Sequence, residues 1–229
     1  MELTSWLLWI VGAYLLGSVP FGLLIGRLQG VDIRDHGSGN IGATNLWRTC
    51  GRRSGITCFV LDLGKGLVPT LGAGIAHGLV GDWMTAIDAT QSWLWLSVAA
   101  AALLGHVFPV YLGFKGGKGV ATAFGVLLGV FPTLTAAAGV ALVTWLVVMA
   151  VTRLVSIASM IAACMVPITT AVVLYLLPQP DTTDLAARTT PAMAIAVLVA
   201  VLVLVRHRSN VARLLKGDEH SVGKADGSR

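Results

Sequence analysis

Six apolar runs, at residues 5–25, 55–76, 93–112, 120–151, 155–177 and 191–205, are joined by short polar segments and leave this chain few ways to fold. A helix needs ~20 apolar residues to cross a bilayer, and most of these runs meet or approach that length. Composition agrees: 55% of residues are hydrophobic and 12% charged, against roughly 25% charged in an average soluble domain. The mean hydropathy is +0.81. The first run lacks a basic leader and a small-residue cleavage site, so it reads as a retained span.

Charge sets the direction of threading. Residues 27–53 carry five arginines against Asp32 and Asp35, and cytoplasmic loops are the ones that collect basic residues. That puts the N-terminus outside. Residues 77–92 hold two acidic residues and no basic one, as suits the outer face. Lys115 and Lys118 then return the chain to the cytoplasm. A single crossing over 120–151 would leave Arg153, Arg206, Arg208, Arg213 and Lys216 outside and the acidic segment 181–184 inside. The conflict disappears if 120–151 enters and leaves by one face, turning near Phe131 and Pro132. Its first arm, 120–130, would be about 16 Å long as helix, either a tilted short span or one limb of a re-entrant hairpin. The expected fold is all-α, a polytopic integral membrane helical bundle of about seven transmembrane helices, one or two of them short. The N-terminus lies outside and the C-terminus in the cytoplasm. Residues 1–217 form one transmembrane domain, and 218–229 a polar, disordered tail. The net charge of +5 follows from this threading and from anionic headgroups rather than from nucleic-acid binding.

Four polar segments thereby share the cytoplasmic face. Residues 37–48, Gly-Ser-Gly-Asn-Ile-Gly-Ala-Thr-Asn-Leu-Trp-Arg, contain Ser38, Asn40, Thr44, Asn45 and Arg48. Glycine allows backbone N–H groups to converge on an oxygen cluster, and arginine adds a fork for phosphate. Such a loop also serves as a plain connector with good turn chemistry. Residues 113–119, Gly-Phe-Lys-Gly-Gly-Lys-Gly, set Lys115, Gly116, Gly117 and Lys118 ahead of a helix, where the backbone favours an anion. Snorkelling of both lysines to lipid phosphates is the plainer reading. Residues 153–159 bring Ser159. Residues 206–213, Arg-His-Arg-Ser-Asn-Val-Ala-Arg, resemble a basic flank, but His207 and Asn210 are three apart and share a helix face. Asp62 and Lys65, also three apart, lie inside an apolar run, as an internal ion pair or as neighbours of a site.

Other chemistries fail on spacing. A G-x-x-x-x-G-K-[ST] loop, a G-x-S-x-G elbow, H-E-x-x-H and CxxC are all missing. Cys50, Cys58 and Cys164 are odd in number and without ligand spacing, hence free thiols. Neither metal nor cofactor is expected. His77 and Asp82 fit the H-x-x-x-x-D pattern of other glycerolipid acyltransferases, but the threading puts them outside. A membrane carrier for a phosphorylated metabolite is the competing reading. Carriers usually show two related halves, and no repeat is found.

From about residue 12 to 219 the motifs follow a recognisable order: Gly-Ser-Val-Pro-Phe-Gly (17–22), Val-Asp-Ile-Arg (31–34), Gly-Ser-Gly-Asn-Ile-Gly-Ala-Thr-Asn (37–45), Asp-Leu-Gly-Lys-Gly (62–66), Gly-His-Val-Phe-Pro (105–109), the lysine segment through Thr122, and 206–217. They resemble those of the bacterial membrane acyl-phosphate:glycerol-3-phosphate acyltransferases. The resemblance implies a seven-helix enzyme of the bacterial inner membrane. It would transfer a fatty acyl group from acyl phosphate to the 1-hydroxyl of sn-glycerol 3-phosphate, giving lysophosphatidic acid and phosphate, the first acylation of phospholipid synthesis. It also implies catalytic roles for Lys118, Arg48 and His207 and substrate-binding roles for Ser38, Asn210, Asn45, Ser159, Gly116 and Gly117. The implied partners are glycerol 3-phosphate, acyl phosphate, membrane lipid and, transiently, an acyl-phosphate-forming enzyme.

An acyl phosphate is a mixed anhydride, already activated, so no enzymic nucleophile is needed. The task is to bring two anions together and stabilise the charge that develops. Ser38, Arg48, Lys118, His207 and Asn210 are expected to grip phosphate oxygens, with the acyl chain between helices. The leaving phosphate would accept the hydroxyl proton, or His207 if neutral; Asp32 and Asp35 are weaker candidates.

Overall fold

The structure, a computed structural model, describes residues 2–177 and 185–219, and these are helical with connecting turns. The first apolar run forms α1 (Glu2–Ser18) and α2 (Phe21–Leu28), parted at Val19 and Pro20, where proline lacks the N–H to continue the ladder. There follow α3 (Ala43–Ala76), α4 (Ala89–Val107), α5 (Val120–Gly129), α6 (Thr133–Thr152), α7 (Val155–Leu176), α8 (Leu185–Arg206) and α9 (Arg208–Lys216). Six stretches among the described residues are long and apolar enough to cross a membrane, and α5 is a shorter apolar helix. The 120–151 run divides as expected, with 130–132 between α5 and α6. At about 1.5 Å per residue α5 covers roughly half the hydrocarbon thickness. The acidic segment 181–184 and residues 220–229 lie outside the described residues.

The segment 37–48 is less of a loop than its composition suggests. Helix α3 begins at Ala43, so Arg48 stands on helix, and the direction changes at Gly51 (φ 84°, ψ 172°). Only glycine adopts that backbone readily. The short arm before the bend is anchored by fully buried Leu46, which packs with Leu23, Ile33, Ile41 and Cys58. Cys50, Cys58 and Cys164 are free thiols.

Glycines set how closely the spans approach. A Cβ on Gly66 of α3 would collide with the carbonyl oxygen of Thr122 on α5, and one on Gly125 of α5 with that of Leu63 on α3. The same reciprocal contact joins α1 to α4, through Gly17 against Ala102 and Gly105 against Tyr14. In lipid, where apolar burial gives helices no reason to associate, such backbone approach is a main source of packing energy. The α3–α5 contact also puts the start of α5, with Lys118 just before it, beside the polar stretch of α3.

Candidate active site

A cavity of about 280 Å³ opens among α3, α5, α6, α7 and α8. Its polar end is lined by Ser38, Arg48, Lys118, Ser159, His207 and Asn210, contributed by four separate stretches of chain. Leu127, Ala163, Val166 and Val199 line its apolar part. On α7, Val166 is seven residues beyond Ser159, about 10 Å further along the helix. A second, polar cavity of about 180 Å³ adjoins it, sharing Ser38, Asn40, Lys118 and Arg213 and extending to Arg206 and Arg208.

The 37–42 loop is shaped by Asn45. Its Oδ1 accepts the Ser38 N–H at 2.9 Å, and its Nδ2 donates to the carbonyls of Ile33 at 2.8 Å and His36 at 3.1 Å. Gly37 (φ 58°) and Gly39 (φ 67°) supply the turns. Both amide hydrogens of Asn45 are thus engaged inside the loop, and the residue also lines the cavity. Asp32 is gripped by the Arg34 guanidinium, and that hydrogen bonding holds its carboxyl well below the usual range. Neither Asp32 nor Asp35 lines the cavity.

The lysine segment is clamped between two helix ends. The Gly117 N–H donates to the His106 carbonyl at 3.2 Å, while Arg206 donates from Nε to the Gly117 carbonyl at 3.1 Å and from Nη2 to that of Gly116. Gly116 and Gly117 line neither cavity; Gly119, Val120 and Ala121 line the main one instead. The anion-directed backbone is therefore the first turn of α5, whose N–H groups have no partner within the helix. Burial is the main influence holding the Lys118 pKa down to about 8. Arg213, Arg48 and Arg206 push it the same way, and Glu219 opposes them.

His207 and Asn210 each present an acceptor. His207 is 2% exposed, and its Nδ1 lies 2.7 Å from the Val203 carbonyl. A carbonyl only accepts, so Nδ1 carries the hydrogen and Nε2 the lone pair. Burial, then the Lys118 charge, pushes its pKa down to about 4, so the ring is neutral at pH 7. The Asn210 Nδ2 donates to Glu219 Oε1 at 2.6 Å, whose other oxygen accepts from Arg213 Nε at 2.9 Å. The buried Asn210 Oδ1 has no partner. Acceptors at His207 Nε2 and Asn210 Oδ1 suit hydroxyl groups, and Asn210 Nδ2 keeps a second N–H beside the one that Glu219 accepts.

Some cavity residues, Glu219 and His106 among them, were not read as site residues from the sequence. Glu219, two residues past the expected domain boundary, lines the cavity; with Asp218 it forms an acidic pair directly after a basic stretch, which was the available signal. Asp62 and His106 line it too. The Asp62 Oδ1 is 2.8 Å from Lys65 Nζ and 3.7 Å from His106 Nδ1, and Lys65 also donates to the Val19 carbonyl at 2.8 Å. Asp62 and Lys65 are thus both an internal pair and, through the acid, a cavity wall. Trp145 Nε1 donates to Ser159 Oγ at 3.2 Å. His77 stacks on Trp6 at 3.8 Å, away from the cavity.

The site is a cationic pocket continuous with an apolar slot, inside a helical bundle of an integral membrane protein. Residues 7–217 match the family described as glycerol-3-phosphate acyltransferase. Proteins of that name are similar to this chain in Trichlorobacter lovleyi, 43% identical over 95% of this chain and 97% of theirs, and in Aquifex aeolicus, 39% identical over 92% and 96%. The fold resembles the crystal structure of PlsY, an integral membrane glycerol 3-phosphate acyltransferase. Its glycerol 3-phosphate form gives a TM-score of 0.77 at 38% identity, covering 96% of each chain. Its lysophosphatidic acid form gives 0.75 at 37% over the same share. The chain belongs to the glycerol-3-phosphate acyltransferase family and is an integral membrane acyltransferase.

Proposed function

We propose that this enzyme transfers a fatty acyl group from acyl phosphate to the 1-hydroxyl of sn-glycerol 3-phosphate, releasing lysophosphatidic acid and phosphate. The site works at the cytoplasmic face of the bacterial inner membrane, with the N-terminus outside. The observation that carries this reading is the division of the cavity: cations Arg48 and Lys118, acceptors on His207 and Asn210, and an apolar extension between the spans. Arg48, Lys118 and the first turn of α5 hold phosphate oxygens, with Ser38 and Ser159 beside them. His207 Nε2 and Asn210 Oδ1 receive the glycerol hydroxyls, and the acyl chain lies along Leu127, Val166 and Val199.

The glycerol 1-oxygen attacks the carbonyl carbon, the bond from that carbon to the phosphate oxygen breaks, and the hydroxyl proton leaves with the phosphate. His207, with a pKa near 4, is a weaker base than a phosphate oxygen, whose second pKa is about 6. Its role is therefore to orient the hydroxyl. Lys118 and the α5 amides stabilise the charge that builds on the carbonyl oxygen and the departing phosphate.

Purified protein incubated with glycerol 3-phosphate and either acyl phosphate or acyl-CoA tests the donor. Lysophosphatidic acid is expected with acyl phosphate alone. Its formation from acyl-CoA without acyl phosphate overturns the assignment.

A further inference from the structure

Of the seven residues in the lysine segment, 113–119, four are glycine, so its shape must come from outside itself. Two contacts supply it. One is the seat on His106, where a Cβ on Gly117 would run into the imidazole and one on Gly116 into the His106 carbonyl. The other is the Arg206 guanidinium, which bridges from the end of α8 to two consecutive carbonyls, those of Gly116 and Gly117. Read from sequence, Arg206 is a basic flank of a membrane span. Its fork instead points back into the protein, and the side chain is half-buried.

That bridge has a geometric consequence. In a trans peptide the carbonyl and the next N–H point in opposite directions. With the Gly116 carbonyl on Arg206, the Gly117 N–H faces the other way and meets His106 at 3.2 Å. With the Gly117 carbonyl on Arg206, the Lys118 N–H is turned away from α8 in the same manner. Arg206 thereby orients both peptide planes leading into Lys118, and α8 goes on directly to His207. Arg206 and the acceptor His207 are thus adjacent residues at one helix end.

We propose that Arg206 is a positioning residue for acyl transfer, holding the Gly116–Gly117 peptides so that Lys118 and the start of α5 face the substrate phosphates. Two donors in a rigid planar fork are required, because the two carbonyls belong to consecutive residues; an ammonium at the same place offers charge without that geometry. This inference rests on the proposed role of Lys118 and goes beyond it.

The test compares Arg206→Lys, Arg206→Ala and Lys118→Ala in the full-length protein in detergent, with thermal midpoints measured alongside kcat and KM for glycerol 3-phosphate. Both Arg206 variants should keep a folded midpoint and lose kcat by about 10²-fold, the usual cost of an ~1 Å misplacement of a reacting group. KM should change far less, since Arg48, His207 and Asn210 do not depend on the fork. Added guanidinium, below denaturing concentrations, should restore part of the turnover of Arg206→Ala, and ammonium should not. Wild-type kcat in Arg206→Lys overturns the proposal. Failure of both Arg206 variants to fold also overturns it, leaving Arg206 a role in stability alone. Full activity in Lys118→Ala is a separate outcome: it sinks the reading of Lys118 on which the proposal stands.

Discussion

The backbone N–H of Ser38 is held at 2.9 Å by Oδ1 of Asn45, seven residues further on and itself 2% exposed. Ser38 lines both cavities, so Asn45 fixes the backbone of a residue on the cavity wall. Asn45→Ala should orphan the Ser38 amide and the carbonyls of Ile33 and His36, at about 1–3 kcal/mol for a buried unsatisfied group. KM for glycerol 3-phosphate should rise while the protein stays folded. Asn45→Asp should be worse, because it sets a carboxylate against those two carbonyls; equal KM values in wild type and both variants would refute this.

Lys118 should make activity and stability respond oppositely to alkaline pH. Its pKa is held down at about 8 from an ordinary 10.5, chiefly by burial. Between those values the unfolded chain binds a proton that the folded chain has released. This residue's contribution to stability therefore rises as pH climbs from about 8 towards 10.5. Catalysis needs the cation, so kcat/KM, which reports the free enzyme, should fall above about pH 8. In Lys118→Met both pH dependences attributable to this residue should be absent.

His207 predicts an acid limb of stability. With a folded pKa of about 4 against 6.5, the unfolded chain takes up a proton in that interval and the folded chain does not. Its contribution is complete above pH 6.5 and is lost as pH falls towards 4. His207→Gln should flatten the dependence of the thermal midpoint across that window. An identical acid profile in the variant would show that the ring is already charged in the fold.

Asp62 and Lys65 form an ion pair in which both side chains are almost wholly buried, at 4% and 2% exposure. Removing one partner leaves an uncompensated charge among the helices, typically a loss of 3–5 kcal/mol or roughly that order. Lys65→Met and Asp62→Ala should each lower the thermal midpoint sharply. The double variant Asp62→Asn, Lys65→Met should recover much of the loss, and a double variant no better than the worse single one would argue against the pairing.

Much of the architecture was legible in the sequence because bilayer thickness and backbone satisfaction act on local stretches. Run length found the spans, Arg and Lys placement required 120–151 to fold back, and α5 and α6 divide where Phe131 and Pro132 suggested. The motifs marked Ser38, Arg48, Lys118, Ser159, His207 and Asn210, and the structure brings all six to one cavity. What each of them offers a substrate was decided only by tertiary contacts. Asn210 presents an oxygen because its Nδ2 is turned to Glu219, and His207 presents a lone pair because Val203 takes its N–H and burial keeps it neutral. Gly117 turns from ligand to scaffold because His106 and Arg206, 11 residues before it and 89 after, hold its peptide groups. Donor or acceptor character depends on which partner arrives from elsewhere in the chain. No local pattern of residues carries that information.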